Sequence, residues 1–179
     1  TYTLKEHDLD VCWEVVNNDS ETMYFTIGGH PAFRVPVREG ESQSDYRLAF
    51  EGLDALTYLL IDTSVGTVIA DEPHTLSLEN GTCSIAPHMF DKDALVFDNG
   101  QIQKAGILFP DGTPYLTLTS EGFPNFGIWS VPGAPFVCLE PWMGRCDDCG
   151  FEKPLSEKAN INVLKPDEEF IKSYQITVH

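Results

Sequence analysis

Two short stretches hold the residues best suited to moving a proton. In residues 26–33, TIGGHPAF, an imidazole sits between two glycines and a proline. Glycine lets the backbone turn and lets a ligand come close. Pro31 fixes its own φ and steers His30 away from the helical region, so the ring is held in one direction. Three roles are open to it: a structural corner whose imidazole caps a backbone group, a metal ligand, or a proton-transfer group. In residues 135–148, PFVCLEPWMGRCDD, an apolar run ends on Glu140, immediately before Pro141. A carboxylate at the end of a buried strand either has a partner and a task or emerges into solvent. Trp142, Gly144 and Arg145 follow. An aromatic ring beside polar groups suits a sugar, whose C–H face stacks on it. A third stretch, GFPNFGIWS over 122–130, gathers Phe123, Phe126 and Trp129 and reads as core or as a pocket wall.

The elements that must carry these residues are strands. Leu9, Val11, Trp13 and Val15 alternate with polar residues, and Asn17-Asn18-Asp19 punctuates them. Leu76 and Leu78 lead into Asn80-Gly81, after which Cys83 and Ile85 alternate again, the signal of an Asn-Gly hairpin. Ala94 to Phe97 is a short apolar run closed by Asp98-Asn99-Gly100. Phe170, Lys172, Tyr174, Ile176 and Val178 follow period two at the end. The segments 38–45 and 165–169 read as polar loop and turn. Helical periodicity is absent, and no linker or low-complexity stretch divides the chain. One all-β domain over 1–179, a sandwich or barrel, is expected.

Net charge is -17 with a pI near 4.4. That argues against nucleic acid and against anionic membrane surfaces, both of which need basic patches. A neutral or cationic small molecule, or simple solubility, fits better. No run reads as a bilayer span or a signal peptide. The five cysteines, Cys12, Cys83, Cys138, Cys146 and Cys149, are odd in number and scattered, unlike a secreted disulfide framework, so a reducing cytoplasm is the expected home. Cys146-Asp147-Asp148-Cys149 lacks the second ligand pair of a structural zinc site, and its acidic residues disfavour a thiolate. The chain opens on Thr1 in strand-like sequence, which reads as part of a longer protein.

Taken in order, IGGHPAF, DALVF, FPNFGIWS and PFVCLEPWMGRCDD resemble the aldose 1-epimerase, or galactose mutarotase-like, family, in its lactose-operon X-protein branch. The likeness runs nearly the length of the chain. It implies a large antiparallel β-sandwich that interconverts the α and β anomers of free hexoses, with no cofactor and no metal. It places the family's general-acid histidine at His30 and its general-base glutamate at Glu140. The family's sugar-holding aspartate falls at Asp93, with Asp91 and Asp98 close by. Trp142, Arg145, Phe33 and Phe126 complete the expected substrate-binding set. With reference pKa values near 4.3 and 6.5, Glu⁻ and HisH⁺ coexist around neutral pH. A sugar phosphate would need cations, for which Arg34, Arg38, Arg47 and Arg145 are candidates.

The family's N-terminal strands, with an arginine and a second histidine, have no counterpart here, and His7 lies too far along the opening strand to match. The chain is therefore expected to represent the C-terminal portion, with exposed sheet edges open to self-association. Two other readings stand beside the enzyme: a carbohydrate-binding module on the same sandwich, and a structural sandwich in which His30 and Glu140 are architectural. The separation of those two side chains discriminates among them.

Overall fold

The computed structural model describes residues 1–179. Alternating sequence yields strands throughout, and helix is confined to two single 3-10 turns, Gln43–Asp45 and Leu155–Glu157. Seven strands form one antiparallel sheet in the spatial order Tyr2–Lys5, Asp8–Val16, Glu169–Val178, Pro114–Thr119, Lys104–Leu108, Arg47–Ala49 and Thr82–Ser84. The terminal strand Glu169–Val178 is central in it, paired with Asp8–Val16 on one side and Pro114–Thr119 on the other. Tyr2–Lys5 is an outer strand, with Tyr2 77% and Leu4 75% exposed. No helix is long and apolar enough to cross a membrane.

The second sheet is built on Phe136–Met143. Asn125–Trp129 pairs along one side of it, with Leu95–Phe97 beyond. Ile27–Gly28 and Ala32–Arg34 pair along its other side. Period-two alternation turns Phe126, Ile128, Val137 and Leu139 to one face, where they join Val11, Leu48, Ile107, Leu118 and Ile176 of the first sheet in one buried cluster. The two sheets thus close on a shared core, as the sandwich reading requires. The opposite face carries Glu140 and Trp142, the latter packed on a small satellite cluster of Leu59, Val68 and Val96.

One expected element is different. Asn80 and Gly81 do form a turn, both at positive φ, bridged by Glu79 and Thr82. The flanking strands then part: His74–Ser77 pairs with Ala55–Tyr58, and Thr82–Ser84 pairs with Arg47–Ala49. Phe50 donates its N–H to the Gly81 carbonyl, and the Arg47 guanidinium donates to the Thr82 hydroxyl. These contacts draw the chain into the first sheet after the turn, so turn chemistry persists without a hairpin.

Candidate active site

His30 lies in extended register rather than on a corner. Gly28 pairs with Trp142, and Ala32 pairs with Cys138. The same register, carried through without a bulge, sets His30 across from Glu140. Two prolines explain why this stretch reads as irregular. Gly29 donates its N–H to the Pro141 carbonyl at 2.9 Å, and Leu139 donates to the Pro31 carbonyl at 3.3 Å. Each of these pairs keeps one rung and lacks the other, because proline has no N–H. His30 and Glu140 sit between them as a pair without mutual backbone hydrogen bonds, the kind in which side chains come closest. Nδ1 of His30 is 3.5 Å from Oε1 of Glu140. The histidine side chain is 59% exposed and the carboxyl 5%.

Burial pushes the Glu140 carboxyl up to about 7; the Trp142 side chain, as a hydrogen-bond donor, pulls it down, and the charge of Asp93 pushes it further up. The result is a carboxylate poised near neutrality, where a general base is most effective.

The glycines of the site are required by packing. A Cβ on Gly28 would stand 2.5 Å from Cδ1 of Trp142, and one on Gly127 would stand 2.3 Å from Cζ2 of the same ring. The indole therefore lies across the sheet, resting on a glycine of each neighbouring strand. Gly29 is needed on account of the other sheet: its Cβ would meet the Tyr174 hydroxyl at 2.9 Å. The space that sequence reading assigned to a ligand beside Gly28 is filled by Trp142 itself.

The three neighbouring aspartates have different surroundings. Asp91 pairs with the exposed His88 at 2.8 Å. Asp98 is gripped by Arg145, Nε to Oδ1 at 2.9 Å and Nη2 to Oδ2 at 2.8 Å. Asp93, at positive φ with its side chain accepting the Ala94 N–H, is the one whose charge reaches Glu140. Arg145 lines the cleft, but it also donates to Asp148 at 2.7 Å and to the Cys146 carbonyl at 2.9 Å. Of an arginine's five N–H donors, only one on Nη1 is left over. Its charge is matched by two carboxylates, so it braces the loop and offers little to a phosphate. Arg38 is held by Glu41, Asp111 and the Phe109 ring, and Arg47 by Thr82 and Glu79.

Phe33 and Phe126 lie apart from the histidine and the glutamate. Phe126 pairs with Pro141 and is fully buried in the main core, and Phe33 packs against that core. Both fall on odd steps of the register that puts His30 and Glu140 on even ones, so their rings point to the opposite face. Three residues on the site face lie outside the expected substrate-binding set: Gly127, the platform for the indole; Trp129, read from sequence as core or pocket wall and here edge-on to His30 with ring centroids 5.8 Å apart; and Cys138, two residues before Glu140. Alternation outward from Glu140 reaches Cys138 on its own strand; Gly127 and Trp129 follow only from the cross-strand register that pairs them with Glu140 and Cys138. Thr26, Gly28, Gly29, His30, Glu140 and Trp142 help line a cleft of about 350 Å³, near the lower end of the usual range for small-molecule pockets.

Two antiparallel sheets around a shared core, with an imidazole and a carboxyl paired across strands of the second, are the features to compare with known proteins. The chain has the galactose mutarotase-like fold: the galactose mutarotase related enzyme of Lactobacillus acidophilus superposes on 99% of it with a TM-score of 0.89 and 26% identity. A galactose mutarotase-like protein from Lactobacillus casei does so at 0.82 and 26%. They are covered to 59% and 61% of their own lengths. In sequence, the chain is similar to the plasmid and chromosomal LacX proteins of Lactococcus lactis subsp. lactis, 28% identical over 186 residues and 99% of this chain. The chain spans about 60% of the length of these curated relatives. No family model matches it.

Proposed function

We propose that this chain carries the acid–base half of an aldose 1-epimerase-like isomerase acting on a free hexose such as galactose or glucose. The observation that carries the reading is the cross-strand pair itself: His30 and Glu140 at 3.5 Å, the carboxyl buried, in a cleft walled by Trp142. Ring opening of a hemiacetal needs a base at the C1 hydroxyl and an acid at the ring oxygen. Both oxygens hang on one carbon, so the two groups must stand within a few ångströms of each other. Glu140 takes the C1 hydroxyl proton, the C1–O5 bond breaks, and O5 takes a proton from His30. The aldehyde end turns about C1–C2. His30 then takes the proton from O5 as it attacks the other face of C1, and Glu140 returns a proton to the new C1 oxygen. Asp93, whose charge reaches Glu140, accepts sugar hydroxyl donors, and Trp142 stacks on the sugar's C–H face. Every proton is returned, so the cycle requires no metal or carrier.

The names of the structural neighbours support an isomerase of this kind, and the chemistry of the cleft supports an uncharged sugar. Arg145 is already neutralised, and the chain bears -17 overall, both unfavourable for a phosphorylated one. The five free thiols suit a reducing compartment such as the cytoplasm. Anomer-exchange NMR with galactose and glucose tests the proposal: exchange above the buffer rate is expected. Sugar binding without faster exchange would instead favour a carbohydrate-binding module.

A further inference from the structure

Cys138 has no part in the proton cycle, yet its place is well defined. It stands two residues before Glu140 on the same strand and faces the same side, diagonal to His30. The donor atoms of His30, Cys138 and Glu140 all lie within 4.8 Å of one another, with the cysteine and glutamate buried and the histidine exposed. Imidazole, thiolate and carboxylate are the three donor types that Zn²⁺ accepts, and three protein ligands with one open position make an exchangeable site.

We propose that His30, Cys138 and Glu140 form a binding site for a thiophilic divalent cation, Zn²⁺ foremost, which silences the acid–base pair by ligating both of its members. The inhibitory part rests on the epimerase reading; the binding part does not. Zinc–ligand bonds of about 2.0–2.3 Å put tetrahedral donors about 3.3–3.8 Å apart. The Nδ1–Oε1 separation of 3.5 Å already meets this. The sulfur, whose tetrahedral distance to either partner is about 3.5 Å, has at most about 1.3 Å to make up at these bond lengths, and the His30 ring that must follow it is exposed. A thiolate and a carboxylate neutralise the cation, which suits a buried floor.

Binding must displace the thiol proton, since burial, with the charge of Glu140 adding to it, pushes Cys138 up to about 12. The S–H bond breaks, the S–Zn bond forms, and the proton leaves to solvent. Glu140 must shed its proton as well, so affinity rises with pH through the neutral range.

Co²⁺, which gives a thiolate charge-transfer band, is the probe for the 179-residue chain. The band is expected in the wild type and in Cys146→Ser/Cys149→Ser, and is expected to vanish in Cys138→Ser. No band in the wild type, a band surviving Cys138→Ser, or a band lost in the Cys146/Cys149 variant overturns the site. Should Cys138→Ser misfold, His30→Ala leaves the core intact and should weaken Co²⁺ at least about tenfold; unchanged affinity there also refutes the site. In anomer exchange, Zn²⁺ should slow the wild type and spare Cys138→Ser, and an active wild type indifferent to Zn²⁺ removes the inhibitory role. A band without exchange sinks the epimerase reading alone, and exchange without a band sinks the metal site alone.

Discussion

His30 and Glu140 occupy one register position on adjacent strands, 3.5 Å apart, with a half-bonded proline pair on either side of them. If they are acid and base, His30→Ala and Glu140→Gln should each lower anomer exchange by at least about 10²-fold. Circular dichroism melts should move little for His30→Ala, because its side chain is 59% exposed. Wild-type exchange in both variants would leave the pair without a catalytic role.

Glu140 acts as a base only when ionised, so exchange should fall as pH drops through about 7. Asp93 contributes to that raised value through its charge. In Asp93→Asn the acid limb of kcat/KM should move to lower pH, and KM should rise as a sugar contact is lost. A limb that stays in place would show that Asp93 does not act on the base.

Stability carries the same signature with its own sign. The folded carboxyl titrates near 7 against 4.5 for an ordinary glutamate, so between these values the folded state holds a proton that the unfolded chain releases. This group's contribution is fully present below about 4.5, is lost as pH rises to about 7, and is level beyond. Glu140→Gln removes the penalty. Urea unfolding at about pH 8 should find the variant more stable, by up to on the order of 3 kcal/mol. Near pH 4 the two chains should be alike.

Gly127 is tied to Trp142 by contact alone. Gly127→Ala forces the indole off its platform and should destabilise the fold by about 1–3 kcal/mol while weakening sugar binding. Adding Trp142→Phe to that variant should restore part of the stability. A double-mutant cycle with no coupling between the two sites would mean that the ring is not what requires the glycine.

The sandwich was legible because period-two alternation survives wherever one strand face is buried: Leu9 to Val15 and Phe170 to Val178 became neighbouring strands. The Asn80-Gly81 turn was equally legible, but the divergence after it depends on Arg47 and Phe50, some thirty residues earlier. At the site, residue type pointed to His30, Glu140 and Trp142. It failed for Phe126 and Phe33, because an aromatic ring reads alike on either face until a register fixes the parity. Gly28 and Gly29 were visible as glycines; the reasons for them, Trp142 and Tyr174, sit on other strands. Arg145 was visible as a cation, while the carboxylates that occupy it come from both sides in sequence.

The paired prolines carry a mechanical consequence. A regular antiparallel ladder would join residues 29 and 141, and 31 and 139, by two hydrogen bonds each; here each pair has one. Parting the strands at His30 and Glu140 therefore breaks two backbone bonds in place of four, at about 0.5–1.5 kcal/mol apiece. The sheet has a compliant seam where His30 and Glu140 meet, and stiff, fully bonded backbone is not needed there to keep them in register. On this count Pro31 and Pro141 act less as fixed rails than as a perforation, lowering the cost of opening a gap between imidazole and carboxyl.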